Sequence, residues 1–258
     1  MPLVEVLGRK LEYELIDAHQ IYRPTLVFLH EGLGCIAFWR DFPHRVAQAT
    51  GCRTLVFSRQ GYGASDGAAA PRTARYMHEE ALEMLPATLA ALGIQRPVLV
   101  GHSDGASIAL IHAGAMPEQV AGVVVMAPHL WVEEEALAGI RQAGEVWQNT
   151  DWPAKLGRYH RDAARVFHDW HDTWLSPAFR DWNIEAYLPA ITVPVLAIQG
   201  EDDEYATLRQ IEVIAEQVPA EVELLKLADC RHSPHRDQPE AVLQAICQYV
   251  ERVSAAAP

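Results

Sequence analysis

Short apolar runs recur along the chain, and helix-compatible segments separate most of them. The runs that predict buried strands cover residues 25–29, 54–57, 98–100, 120–126, 193–198 and 222–227. The predicted helices cover residues 39–49, 76–92, 106–115, 208–217 and 239–250. Apolar strands that alternate with helices are typical of a parallel sheet covered on both faces. Residues 3–7 and 11–16 predict an additional N-terminal hairpin. We therefore predict an α/β fold, with a mostly parallel sheet flanked by helices.

The alternation is interrupted between residues 129 and 188, where helix-compatible sequence dominates. This predicts a helical cap, or lid, of residues 129–188 inserted after the sixth strand, and a core domain made of residues 1–128 and 189–258. Six of the seven tryptophans fall within the cap. Two interpretations are open, because these side chains could attach the cap to the sheet domain or face downwards and form an apolar substrate pocket.

The pentapeptide Gly101-His102-Ser103-Asp104-Gly105 lies between a predicted strand and a predicted helix. A serine on a sharp strand-to-helix turn has a strained backbone and needs small neighbours two residues away on either side. Glycines occupy both positions, so the pattern predicts a nucleophile elbow with Ser103 as the nucleophile. The amide of Asp104 opens the helix and has no intrahelical partner, which makes it a candidate donor to an oxyanion.

A serine hydroxyl becomes a good nucleophile when an imidazole takes its proton, and a carboxylate must orient that imidazole. After a G-x-S-x-G elbow, the acid and then the histidine follow in chain order. The acidic run Glu-Asp-Asp-Glu at residues 201–204 directly follows a predicted strand. The loop before the last helix contains His232 and His235. These two segments are the candidates for the acid and the base.

With these motifs the chain resembles the α/β-hydrolase superfamily over almost its whole length. The resemblance implies an α/β-hydrolase fold. It places the acid at Asp203, three residues past the glycine that ends its strand, and the base at His232. Asp202 is the alternative acid and His235 the alternative base. Arg231 stands where the family usually has glycine.

The loop that follows the strand at residues 25–29 reads His-Glu-Gly-Leu-Gly. The resemblance places the second oxyanion donor at the amide of Gly32. Glu31 occupies a position where the family usually has glycine, and its simplest interpretation is structural. We also expect Glu31, His129, Trp131 and Trp174 to line the substrate pocket.

Residues 58–65 resemble the superfamily's Arg-Gly-x-Gly-x-Ser loop. Glycines there allow a tight backbone approach, so the loop is interpreted as a scaffold turn. Arg59 is expected to be a structural hydrogen-bond donor.

The formal net charge of −13 argues against nucleic acid and anionic membranes as partners. The first residues lack the apolar stretch of a signal peptide, so a cytoplasmic location is expected. The four cysteines are scattered without metal-ligand spacing. His168 and His171 are interpreted as surface or core residues of the cap. We expect no metal and no cofactor, and the oligomeric state stays open.

Together these features predict a serine hydrolase that cleaves a small, apolar carboxylic ester through an acyl-enzyme. The alternatives are another chemistry of the same superfamily: a thioesterase, a lactonase, a C–C bond hydrolase or a perhydrolase. A different class, a ligand-binding protein that keeps the fold without turnover, is the remaining alternative.

Overall fold

The computed structural model describes residues 1–67 and 71–255. Its sheet has eight strands: β1 (Leu3–Val6), β2 (Arg9–Ile16), β3 (Leu26–Leu29), β4 (Thr54–Phe57), β5 (Val98–His102), β6 (Gly122–Met126), β7 (Val195–Gly200) and β8 (Val222–Leu227). Their order is β1-β2-β4-β3-β5-β6-β7-β8. The hairpin strands β1 and β2 pair antiparallel, β2 pairs antiparallel with β4, and all other neighbours are parallel. The predicted mostly parallel α/β fold is confirmed.

Helices cover both faces of this sheet. They are α1 (Phe42–Thr50), α2 (Tyr76–Glu79), α3 (Leu85–Ala91), α4 (Asp104–Ala115), α5 (Glu134–Asn149), α6 (Trp152–Leu156), α7 (Ala163–Trp174), α8 (Arg209–Gln217), α9 (Pro234–Asp237) and α10 (Pro239–Ala255). Short 3-10 turns lie at Ile36–Trp39, Pro117–Gln119, Pro177–Phe179 and Glu185–Ala190. Helices α1 and α10 pack on one face, and α3, α4 and α8 pack on the other.

The central strands are apolar throughout because both of their faces are buried. In β3, Leu26 and Phe28 face the layer of α1 and α10, whereas Val27 and Leu29 face the opposite layer. All four side chains are at most 1% exposed. The two cores therefore meet at the sheet, and the carboxyl ends of its parallel strands share one edge, where loops are free to carry chemistry.

The predicted helix over residues 76–92 is interrupted by a π-helical turn. Helix α2 runs into this turn at Glu80–Met84, which continues into α3. Pro86 stands in the first turn of α3. Proline has no amide hydrogen and its ring clashes with the carbonyl four residues earlier, so a regular helical ladder cannot run through it.

Between β6 and β7 the chain forms α5, α6 and α7 and two 3-10 turns, but no strand of the sheet. Aromatic side chains pack densely there, and the ring of Trp147 stacks on Phe167 with centroids 4.1 Å apart. The end of the segment lies on the core, since the Glu185–Ala190 turn packs against α4. The division into a core and a cap stays a prediction.

Within residues 1–67 and 71–255, none of the helices combines the length and the apolar character that crossing a bilayer requires.

Candidate active site

Ser103 lies on a sharp turn between β5 and α4. Its backbone has φ 52° and ψ −119°, a region that residues with a side chain rarely adopt. The turn closes because its flanking glycines have no side chains. A Cβ on Gly101 would collide with the backbone of Gly105, and one on Gly105 would collide with the carbonyl of Leu29. This turn places Ser103 at the carboxyl edge of the sheet, directly after β5.

Ser103, His232 and Asp203 lie in hydrogen-bond contact although they are far apart in the chain. The distance from His232 Nε2 to Ser103 Oγ is 3.0 Å. His232 Nδ1 lies 2.8 and 3.0 Å from the two carboxylate oxygens of Asp203. A carboxylate can only accept, so Nδ1 carries the hydrogen and Nε2 is free to accept the serine proton.

The loop after β7 presents Asp203 and not Asp202 to the histidine. The Asp203 side chain is fully buried, and it also accepts hydrogen bonds from Gln199 Nε2 at 2.7 Å and from the amide of Tyr205 at 2.8 Å. Asp202 is exposed. His235, the alternative base, packs on Trp39 with ring centroids 4.8 Å apart.

Burial and charge act in opposite directions on this pair. Burial disfavours the charged imidazole, but the charge and hydrogen bond of Asp203 outweigh it and raise the pKa of His232. Burial likewise opposes ionisation of Asp203, but the charge and hydrogen bond of His232 outweigh it and lower the pKa of that carboxyl. The arrangement therefore favours a carboxylate next to an imidazole that readily takes a proton.

The peptide between Glu31 and Gly32 is held in one orientation. Its carbonyl accepts hydrogen bonds from His30 Nδ1 at 2.8 Å and from Arg59 Nη2 at 3.1 Å. In a trans peptide the N–H points opposite to the carbonyl. The Gly32 amide therefore points away from Arg59, and Gly32 lies on the wall of the cavity that contains Ser103.

A second set of contacts holds the residue after the nucleophile. The carboxylate of Asp104 is buried, accepts a hydrogen bond from the hydroxyl of Tyr76 at 2.6 Å, and lies 3.9 Å from Arg59 Nη2. Trp174 Nε1 donates to the same Tyr76 hydroxyl at 3.0 Å. Arg59 was expected to be a structural donor. It donates to the Glu31 carbonyl, which belongs to the same peptide as the Gly32 amide, and it also faces the side chain of Asp104.

We expect Arg59→Met to lower the free energy of unfolding by about 3–5 kcal/mol, because it removes the guanidinium that faces the buried Asp104 carboxylate. Urea unfolding followed by circular dichroism measures the loss. The double variant Arg59→Met/Asp104→Asn also removes the carboxylate charge and should recover part of the lost free energy of unfolding. A single variant as stable as wild type would contradict a buried ion pair.

A cavity of about 120 Å³ opens above Ser103. Its apolar wall consists of Leu33, Ala136, Ile140, Trp152, Trp170 and Trp174. Its polar wall consists of Glu31, Gly32, Ser103, His129, Tyr205 and His232. The structure thus places the predicted pocket residues Glu31, His129 and Trp174 on the cavity.

Trp131, also predicted in the pocket, is not among the residues that line this cavity. Its backbone forms an isolated β-bridge with Asn183, and its carbonyl accepts from Gln210 Nε2 at 3.4 Å. Trp152, Trp170 and Tyr205 line the cavity without having been singled out. The first two lie in the tryptophan-rich segment and Tyr205 directly follows the acidic run, but which of them faces Ser103 depends on helix packing.

Glu31 lies at the rim of the site with its carboxylate next to two basic side chains. The distances are 3.6 Å to His102 Nδ1 and 3.9 Å to Arg236 Nη2. Burial opposes its ionisation, but the contact with His102 and the charge of Arg236 outweigh burial and lower the pKa of Glu31. His102 Nε2 in turn donates to the carbonyl of His232 at 2.7 Å.

The sheet order and the serine elbow define an α/β hydrolase. The model of the Alpha/beta hydrolase family matches residues 26–245, and the chain belongs to that family. It is 25% identical to 2-succinyl-6-hydroxy-2,4-cyclohexadiene-1-carboxylate synthase of Salmonella paratyphi C, over 87% of this chain and 93% of the synthase.

Solved structures share the fold. A carboxylesterase of the thaumarchaeon Nitrososphaera gargenis superposes with a TM-score of 0.78 at 19% identity, covering 99% of this chain and 100% of the esterase. The enol-lactonase of Burkholderia xenovorans superposes with a TM-score of 0.74 at 18% identity, covering 97% of this chain and 100% of the lactonase.

Proposed function

We propose that this protein is a serine hydrolase that cleaves a small, apolar carboxylic ester through an acyl-enzyme. The observation that carries the proposal is the unbroken hydrogen-bond chain from Ser103 through His232 to Asp203, at the floor of a largely apolar cavity. A serine in such a chain is activated for attack on a carbonyl carbon.

In the first half-reaction Ser103 Oγ attacks the ester carbonyl as its proton passes to His232 Nε2. Asp203 stabilises the imidazolium through Nδ1. The negative charge that develops on the carbonyl oxygen is held by the amides of Gly32 and Asp104, which we assign as the oxyanion hole. When the tetrahedral intermediate collapses, His232 gives its proton to the departing alcohol.

In the second half-reaction water replaces the alcohol. His232 takes a proton from the water, which attacks the acyl carbon, and the acid leaves when Ser103 regains its proton from His232. The carbonyl oxygen becomes negative again in this step, so the same two amides serve both halves.

We infer that residues 129–188 form a lid over this chemistry. Ala136, Ile140, Trp152, Trp170 and Trp174 all come from that segment, and together they make up most of the apolar wall above Ser103. An apolar roof excludes water from the developing charge and binds an apolar acyl or alcohol group.

The proposal favours ester hydrolysis over the reaction of the Salmonella relative. That enzyme's name denotes a carboxylate product. Among the described residues that line the cavity of this chain there is neither a lysine nor an arginine to hold a carboxylate.

A fluorophosphonate and a simple ester test the proposal together. We expect the protein to release p-nitrophenol from p-nitrophenyl butyrate and to gain one phosphonyl adduct, which tryptic mass spectrometry places on Ser103. Prior labelling should abolish the release. A ligand-binding protein without an activated serine would stay unmodified, and that result would refute the hydrolase assignment.

A further inference from the structure

The charge on the wall of the cavity comes from an acidic side chain. Burial lowers the pKa of His129 to about 3 and raises the pKa of Tyr205 to about 12, so both are neutral near pH 8. His232 is neutral when it is ready to act as a base. Glu31 is then the one charged side chain among the described residues that line the cavity.

The neighbours of Glu31 fix the position of its side chain. Its side chain is 17% exposed, and the residue lines the cavity. Gly34 leaves the space that the carboxylate occupies, because a Cβ there would collide with it. The basic groups next to it, His102 and Arg236, keep it ionised but do not line the cavity.

The positive charge nearest to Glu31 lies behind the wall. Arg236 Nη2 is 3.9 Å from the Glu31 carboxylate and Arg236 does not line the cavity, so an anion in the cavity meets the carboxylate before it meets the guanidinium. Arg59 faces Asp104 at 3.9 Å, so that buried pair is internally balanced. Asp203 adds a further negative charge behind His232. An anionic group placed near the reacting carbonyl would therefore be repelled, and in a poorly hydrated cavity that repulsion is stronger than in water.

The apolar wall complements a positive charge. Trp152, Trp170 and Trp174 line the same cavity as Glu31. Tryptophan rings next to a carboxylate are a recurrent environment for alkylammonium groups, because ring electrons and charge both attract the cation while methyl groups fill the apolar space.

We propose that Glu31 is a specificity-determining residue that admits esters with neutral or positively charged acyl groups and rejects those that carry a carboxylate. The proposal rests on the proposed ester hydrolysis and adds the charge class of the substrate to it.

Three p-nitrophenyl esters with the same trimethylene spacer test it, ending in tert-butyl, trimethylammonium or carboxylate. The first two differ in charge but hardly in shape. We expect kcat/KM at pH 8 and low ionic strength, above the Ser103→Ala background, to be at least about tenfold lower for the carboxylate ester than for the tert-butyl ester. The trimethylammonium ester should equal or exceed the tert-butyl ester.

Glu31→Gln keeps the shape and removes the charge. It should bring the carboxylate and tert-butyl esters within about threefold of each other and remove any advantage of the ammonium ester. Ratios measured within one variant cancel any change common to all three substrates. Glu201→Gln, at an exposed position on the same edge of the sheet, makes the same change in net charge and should keep the wild-type ratios.

The outcomes separate the two proposals. If none of the three esters shows hydrolysis that depends on Ser103, the proposed function fails. If the tert-butyl ester is hydrolysed and the carboxylate ester is equally good, or Glu31→Gln leaves the ratios unchanged, ester hydrolysis stands and the role of Glu31 is refuted.

Discussion

The Ser103→Ala variant is expected to hydrolyse p-nitrophenyl butyrate with a kcat about a million-fold below that of the wild-type protein. Ser103 Oγ is the atom that forms the acyl-enzyme, and its removal leaves His232 Nε2 without the proton it takes. A residual rate above that in water should remain, because the oxyanion donors and the cavity are still present.

The folded state should change little in this variant. Alanine and serine have the same Cβ, so the strained backbone at φ 52° is strained equally in both. Thermal unfolding checks that the lost activity is not lost structure. Ser176→Ala is a matched control, since the Ser176 hydroxyl bonds to the carbonyl of Thr173 and does not line the cavity. If Ser103→Ala kept a tenth of the wild-type rate, Ser103 would not be the nucleophile.

The second large effect is expected for Asp203→Asn, which should lower kcat about ten-thousandfold. An asparagine amide can donate to His232 Nδ1, and the ring would then carry its hydrogen on Nε2, where it cannot accept the proton of Ser103. Asparagine also offers one acceptor oxygen instead of two to the groups that bond Asp203 in the wild type, Gln199 Nε2 and the Tyr205 amide. Steady-state kinetics with p-nitrophenyl butyrate measure the loss.

The pH profile gives this prediction a second readout. His232 acts as a base only when neutral, so kcat/KM of the wild type should fall as the pH falls through the His232 pKa, which lies above the ordinary value of 6.5. Without the Asp203 charge, burial of the ring is no longer outweighed and the pKa of His232 falls. The acid limb of Asp203→Asn should therefore move to lower pH.

Asp202→Asn is the matched control, because it removes the same charge from the adjacent exposed position. It should retain nearly the full rate and the wild-type pH profile. If Asp202→Asn lost activity and Asp203→Asn did not, the acid would be the other member of the acidic run.

Much of the architecture could be read from local patterns. Runs such as 54–57 and 98–100 are apolar at every position, and such runs are stable only when both faces are covered. The two glycines around Ser103 predicted the tight turn from the sequence. In the structure, a side chain at either position would collide with backbone. The apolar periodicity predicted a continuous helix over residues 76–92 and not the interruption at Glu80–Met84, for which Pro86 is the local signal.

The partners of the site depend on contacts between distant segments. Asp202 and Asp203 are chemically identical neighbours, and burial after β7 separates them: one points to water and the other to His232. Trp131 and Trp174 were both expected in the pocket, and of these two Trp174 lines the cavity above Ser103. The sequence predicted that Arg59 belongs to a scaffold turn. The fold brings its guanidinium to the Glu31 carbonyl, which the sequence did not predict.

The amino-acid sequence by itself determined the order of strands and helices, the serine turn and the two loops that carry the acid and the base, because each follows from local sterics and the apolar pattern. The tertiary structure decided between the two adjacent aspartates as partner of the histidine, and it selected the tryptophans that enclose the cavity. Those outcomes depend on burial and on distances between residues far apart in the chain, and such distances are set when the layers pack.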